Sequence, residues 1–271
     1  MKTKHHIIKL VLFSAFATSS AFAQSADDMN KANNPLTPML GVNFQDYYTP
    51  SYDDLSDSDS NTGLLRGILP HKLFGWPQIL RATLPIATSP TPNSTSGLGD
   101  LNVFDVALFK AGKLQLGVGP QITLPTATDD RLGTGKLQAG AAVLAIAPQS
   151  WGLVGGLVTW QHSIAGEGSR PVQNNLQMQP FLIYNLPKGF YARSTALWNF
   201  NLQTDDYYIP VGAGAGKVWQ LKNGMTVNFF VEPQYTLFHD GVAPRWQIFM
   251  GLNFQFPLVS KSSKSESQGK Q

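Results

Sequence analysis

The chain of 271 residues contains no cysteine, which removes disulfide frameworks, thiolate zinc sites and cysteine nucleophiles together. Charge is scarce: Asp, Glu, Lys and Arg make up 14% of the residues, against ~25% in an ordinary soluble domain. The formal net charge is +3, but Lys2, Lys4 and Lys9 fall in a leader, and without them 17 basic residues face 17 acidic ones. No basic surface is left for nucleic acid, so no such partner is expected. Long apolar runs are missing as well. After residue 23 no uninterrupted stretch reaches the ~20 residues of a spanning helix, which excludes a helical inner-membrane protein. What the chain has instead is aromatics, at 11%, with 25 Gly and 18 Pro. So many aromatic and branched residues exclude an intrinsically disordered chain.

Residues 1–23 carry the three lysines, an apolar run from Leu10 to Phe16, and Ala21-Phe22-Ala23. This is the pattern of a secretory signal peptide, with Sec-type export and cleavage expected before Gln24. The apolar run is too short for an N-terminal membrane anchor, and without cysteine there is no lipoprotein anchor. Residues 24–38 are read as a periplasmic N-terminal segment, free to hang in the periplasm or to fold inward as a plug. Pro257–Gln271 is Ser- and Lys-rich and reads as a disordered tail.

Between these lie short alternating segments. In 113–124, Leu114, Leu116, Val118, Pro120, Ile122 and Leu124 share one side, and Lys113, Gln115, Gly117, Gly119, Gln121 and Thr123 the other. Segments 225–238 and 245–256 repeat the pattern. Side chains on a strand alternate between faces, so each segment is a strand with one greasy and one largely polar face. Twelve such strands are expected, at 39–48, 62–70, 77–87, 98–110, 113–124, 136–147, 151–163, 173–185, 189–201, 207–219, 224–238 and 245–256. Tight turns around 111–112, 148–150, 186–188 and 222–224 alternate with longer polar connections, the rhythm of short periplasmic turns and long extracellular loops. A soluble sandwich would also alternate, but its outer face would be dense in Lys and Glu. Here that face carries Gln, Asn, Thr and Gly, which favours lipid on the apolar face and water on the polar one. The expected fold is all-β: a transmembrane antiparallel up-and-down barrel of 12 strands over 39–256, in the outer membrane of a Gram-negative bacterium. Trp151, Trp160, Trp198, Tyr207, Tyr208, Trp219 and Trp246 near strand ends suit interfacial girdles. Outer-membrane lipid and lipopolysaccharide would surround it. Phe249–Phe256 is similar to the terminal-strand signal read by the barrel assembly machinery, the partner expected during biogenesis.

Chemistry is thin. His162 and Ser163 invite comparison with a barrel lipid hydrolase, but adjacent residues on a strand point to opposite faces and cannot pair as base and nucleophile. Neither Gly-x-Ser-x-Gly nor His-Glu-x-x-His occurs. Asp129-Asp130 and Asp205-Asp206 lie in loops and could offer oxygen ligands to a divalent cation, although solvated loop carboxylates account for them as well. The Asp-rich run through Asp53, Asp54, Asp57 and Asp59 lacks glycine-centred ligand spacing and reads as a mobile loop. No catalytic residue, metal site or cofactor is assigned, and the chain is read as a non-enzyme.

Several stretches resemble a family of bacterial outer-membrane proteins labelled as components of the meta-cleavage pathway of phenol degradation or as transporters. They are Leu98-Gly99-Asp100-Leu101, Gly117-Val118-Gly119-Pro120-Gln121, Leu124–Asp130, Val158–Ser163, Gln179–Asn185 and Val231-Glu232-Pro233-Gln234-Tyr235. Some relatives bear the name of an animal neuropeptide, neuromedin U, an activity nothing in this sequence supports. The resemblance implies an outer-membrane barrel and passage of small apolar or aromatic compounds; it implies no catalytic residues.

If the polar faces point inward, Arg81, Thr83, Lys113, Gln115, Gln121, Arg193, Thr195, Asn199, Glu232, Gln234, Arg245 and Gln247 line the lumen, where Arg193 or Arg245 could bridge to Glu232. Twelve strands lie between small filled barrels and wide porins, so such a network serves equally as a selectivity filter or a structural plug. The expectation is a passive channel or transporter for small molecules of unidentified kind. A closed structural or adhesive barrel is the first alternative and a lipid hydrolase the second.

Overall fold

The computed structural model describes residues 25–90 and 94–258. The leader at 1–23, its cleavage point before Gln24, and the tail beyond Leu258 lie outside the described residues. Twelve staves form the barrel. They are β1 (Leu40–Asp53), β2 (Ser60–Leu73), β3 (Trp76–Thr88), β4 (Ser96–Leu98 and Leu101–Ala111), β5 (Leu114–Leu124) and β6 (Lys136–Gln149), followed by β7 (Gly152–Gly166), β8 (Asn174–Asn185), β9 (Phe190–Ser194 and Trp198–Asn201), β10 (Tyr207–Gly212 and Gly214–Gln220), β11 (Thr226–Asp240) and β12 (Ala243–Phe256). Each pairs antiparallel with its neighbours in sequence, and β1 pairs with β12 from Leu40↔Phe256 to Asp53↔Ala243, closing the sheet. Closure leaves no strand edge to face lipid.

The staves follow the expected order, and β1 and β2, weakly marked in sequence, are full-length. They extend into the Asp-rich stretch: Asp53 ends β1 rather than lying in a loop, and the connection shrinks to 54–59. At the opposite end Phe74-Gly75 turns β2 into β3 with both residues at positive φ, 51° and 83°, matching the right-handed twist of a two-residue hairpin.

The outer surface is apolar and uncovered. Val118, Val143 and Val158 are in register across β5, β6 and β7, and all three are exposed. The inner face divides by height. Toward the tight turns it is packed with Ile79, Phe104, Val106, Leu144, Ile146, Leu153, Ile183, Tyr191, Phe230 and Phe249. Two lumen-facing glycines make this packing possible: a Cβ at Gly216 would stand 2.3 Å from the Tyr191 ring, and one at Gly251 2.6 Å from Phe230. Toward the loops the inner face is amide and hydroxyl.

One helix, α1 (Ala26–Asn33), enters this barrel from the tight-turn end. The Ser25 side chain caps it by accepting from the Asp28 amide at 3.1 Å, and Lys31 pairs with Asp27 one turn earlier at 2.6 Å. Eight residues would be marginal alone. Burial of Met29 and Ala32, with Leu36 just beyond, sets the helix on the apolar floor.

Candidate functional site

The lumen holds large polar cavities and is built in three layers. Nearest the loops are two adjoining cavities of about 480 and 350 Å³. Both are lined by Thr159, Gln161, Gln177, Asn199 and Tyr208. Below them lies a band of charged and amide side chains, then a chamber of about 150 Å³ above the helix and the apolar floor.

Glu232 anchors the band. It is fully buried on β11 and accepts from Arg193 Nε at 2.7 Å, from the Thr195 backbone amide and hydroxyl at 2.8 Å each, and from Gln234 Nε2 at 3.1 Å. The Thr195 amide is free to do this because β9 is interrupted at 195–197, so its N–H leaves the ladder and turns to the carboxylate. Arg193 also lies over the Phe230 ring at 3.6 Å. Charge, hydrogen bonds and stacking are therefore all satisfied at this pair.

Of the other residues expected in the lumen, Thr83, Gln121 and Asn199 line the wide cavity, as does Gln247, which donates to Thr49 Oγ1 at 3.3 Å. Asn199 accepts from Gln177 at 2.7 Å. Arg81 faces inward with its guanidinium 4.1 Å from the Phe104 ring centroid. Gln115 lies lower, accepting from Asn34 Nδ2 at 2.8 Å, so it holds the N-terminal segment. Two residues are placed differently. Lys113 stands exposed in the turn with Gly112, because β5 begins only at Leu114 and the alternation does not extend that far. Arg245 sits at the loop-side mouth, half exposed, and pairs with Asp53 at 2.5 Å rather than with Glu232.

Sequence reasoning missed the other inward arginine, Arg66, which donates to Gln45 Oε1 at 2.5 Å. Gly63, Gly67 and Pro70 blur the alternation of β2, although counting by two from Ile68 would have placed it. A polar cluster on the outer face was missed too: His71 Nε2 lies 3.0 Å from Asp105, beside Gln78. His162 and Ser163 lie on opposite faces, and the Ser163 hydroxyl accepts from the Gln173 amide at 2.8 Å.

The N-terminal segment closes the tight-turn end. Asn30 donates to the Gln149 carbonyl at 2.8 Å and accepts from Asn185 at 2.9 Å. Asn228 donates to Asn33 at 2.9 Å, and Gln255 donates to the Ala32 carbonyl at 3.2 Å. Leu36 Cδ2 lies 2.8 Å from where a Cβ on Gly117 would stand. At the other mouth, Asp100 folds the 125–135 loop inward by accepting from the Ala127 amide at 3.2 Å and from Thr134 N and Oγ1 at 2.7 and 2.9 Å. Further along this loop, hydrogen bonds from Arg131 hold the Asp129 carboxyl at about 2. Among the described residues no group of three or more His, Asp or Glu could hold a metal ion.

No family model matches the chain, and no curated protein does. Among solved structures, an outer membrane channel from Pseudomonas putida F1 matches at TM-score 0.56 and 17% identity, covering 80% of this chain and 93% of that one. The β domain of the Bordetella autotransporter BrkA matches at TM-score 0.43 and 14% identity, over 80% of this chain and 100% of that one. At 17% identity the likeness to the channel is one of fold, and this chain's fold is the closed twelve-stranded barrel described above.

Proposed function

We propose that this protein is an outer-membrane channel for small molecules whose lumen is closed from the periplasmic side by its own residues 25–38. The observation that carries the reading is the layering of the lumen: amide-lined cavities of about 480 and 350 Å³ toward the loops, a charged band and a chamber of about 150 Å³ beneath them, and below that a floor shared by Met29, Ala32 and Leu36. Polar cavities on one side of a barrel conduct once a removable element leaves the other side. Selectivity then rests on the charged band rather than on covalent chemistry. Export by the leader at 1–23, insertion by the barrel assembly machinery and contact with lipopolysaccharide belong to the same reading, as does passage of apolar or aromatic compounds.

The test is planar-bilayer conductance of the refolded chain from Gln24, with heat-modifiable gel migration as the folding control. Deletion of 24–38 should give larger and longer openings. In Leu36→Cys with Gly117→Cys, oxidation should suppress conductance and reduction restore it; the native chain has no cysteine to interfere. The continuously packed floor favours a second reading, a closed structural barrel. A folded protein that stays silent even without 24–38 would establish that reading and sink the channel.

A further inference from the structure

Three inward arginines occupy the charged band, and only one has a carboxylate. Arg193 is neutralised by Glu232. Arg66 and Arg81 are in no ion pair among the described residues, and the Nε of each is buried without a hydrogen-bond partner. They are close neighbours: Ile68 pairs with Arg81 and Arg66 with Thr83, so the two cations sit diagonally across β2 and β3 on one face. The acid that lines the wide cavity, Asp100, is engaged by Ala127 and Thr134. Two like charges side by side without a carboxylate, each partly buried, are better compensated when a counter-charge joins them.

Both arginines line the wide polar cavity above and the 150 Å³ chamber below. Ile68, Ile79, Phe104 and Val106 give the chamber an apolar side beneath them, and polar side chains including Asn43, Gln45, Gln179 and Asn228 line the rest. At about 150 Å³ the chamber has room for a benzene-sized body against its apolar side. The geometry points to a binding site for a small amphiphilic carboxylate, its carboxylate between Arg66 and Arg81 and its apolar body, about the size of one six-membered ring, in the chamber below. Arginine forks bind carboxylates through paired N–H donors, and among the described residues the terminal Nη donors of both arginines are in no hydrogen bond apart from Arg66 Nη1 to Gln45. Access is from the loop-side cavity. The site deepens the channel reading and rests on it only for its biological meaning, because binding needs the folded lumen and not conduction.

The experiment is equilibrium binding of benzoate and cyclohexanecarboxylate to the refolded chain in detergent, by calorimetry and by the shift of the thermal unfolding midpoint. Benzamide, acetate and inorganic phosphate serve as comparisons. Saturable binding of both ring carboxylates is expected, with benzamide silent and the two small anions at least about tenfold weaker. Arg66→Gln and Arg81→Gln, singly, should each weaken benzoate about tenfold or more, the scale of a lost charge-assisted hydrogen bond. Removing one of two adjacent like charges relieves their repulsion, so both variants are expected to fold. Absence of benzoate binding by folded protein, or binding unchanged in both variants, overturns the proposal. Phosphate binding as tightly as benzoate overturns the assignment of an amphiphile. A channel that conducts but binds no benzoate leaves the channel reading standing without this site. Binding by a protein that never conducts keeps the site and removes the channel.

Discussion

Glu232 is the hub of the charged band. Its carboxylate has four donors and no exposure, so neutralising it leaves Arg193 buried with its charge uncompensated. Glu232→Ala is expected to cost about 3–5 kcal/mol, read as a fall in the urea midpoint of the folded band on a gel. Arg193→Met with Glu232→Leu should recover most of that loss, because an apolar replacement removes both desolvation penalties at once. A gentler case stands at the loop-side mouth, where Arg131 hydrogen bonds depress the Asp129 carboxyl to about 2. A depressed carboxyl favours the folded loop at pH values above the ordinary carboxylate range and loses that effect as the pH falls through about 2. The Asp129 carboxyl resonance should therefore titrate near 2 and return to the ordinary range in Arg131→Ala. Arg193 and Glu232 could be placed on one inner face from sequence, because β11 alternates cleanly and β9 does so up to its break. Which arginine takes the acid could not, since that depends on where β9 breaks and on Asp53 coming within reach of the Arg245 side chain from the neighbouring strand.

At the scale of elements, the staves and the N-terminal helix differ in how they are specified. A stave is written in its own residues: the period of two in β5, β11 and β12 makes a register slip put lipid-facing Leu and Phe into the lumen. Even β1 and β2 are held by their neighbours once the barrel closes. The helix has only eight residues, Ala-Asp-Asp-Met-Asn-Lys-Ala-Asn, and its apolar side is little more than Met29 and Ala32. Nothing periodic announces it, so sequence left a dangling segment and a plug equally open. Its docking comes from the floor it meets and from asparagines that reach backbone and amide groups of distant staves. Asn228 holds it most centrally, donating to Asn33 and Ala32 while accepting from the Tyr191 hydroxyl at 2.6 Å. Asn228→Ala should loosen the plug without opening the barrel. In bilayers this means more frequent openings at unchanged unit conductance, with heat-modifiable migration retained. Unchanged opening frequency would mean the apolar contacts of Met29 and Leu36 alone hold the segment.

For the molecule as a whole, the barrel is inside-out relative to a soluble domain, and that inversion explains its composition. A 14% charged content leaves no hydrated coat, yet apolar side chains stand exposed in register around the sheet. In water such a surface would aggregate; in lipid it is solvated, while the lumen takes the polar groups. The two faces must therefore answer charge in opposite ways. Val143 stands near the middle of β6, is 43% exposed, and is flanked by Val118 and Val158. Val143→Arg should cost about 2–4 kcal/mol when the protein is folded into bilayers, the penalty for a guanidinium at the midplane. Gln247→Lys places a charge of the same sign on the wall of the 480 Å³ cavity, where water reaches it, and should leave the folding midpoint nearly unchanged. Conductance then separates the two again: the lumen lysine should shift ion selectivity toward anions, and the lipid-side arginine should not. Equal stability losses for both substitutions would contradict the assignment of the apolar face to lipid, because a soluble barrel with a dry interior would penalise the inner charge more.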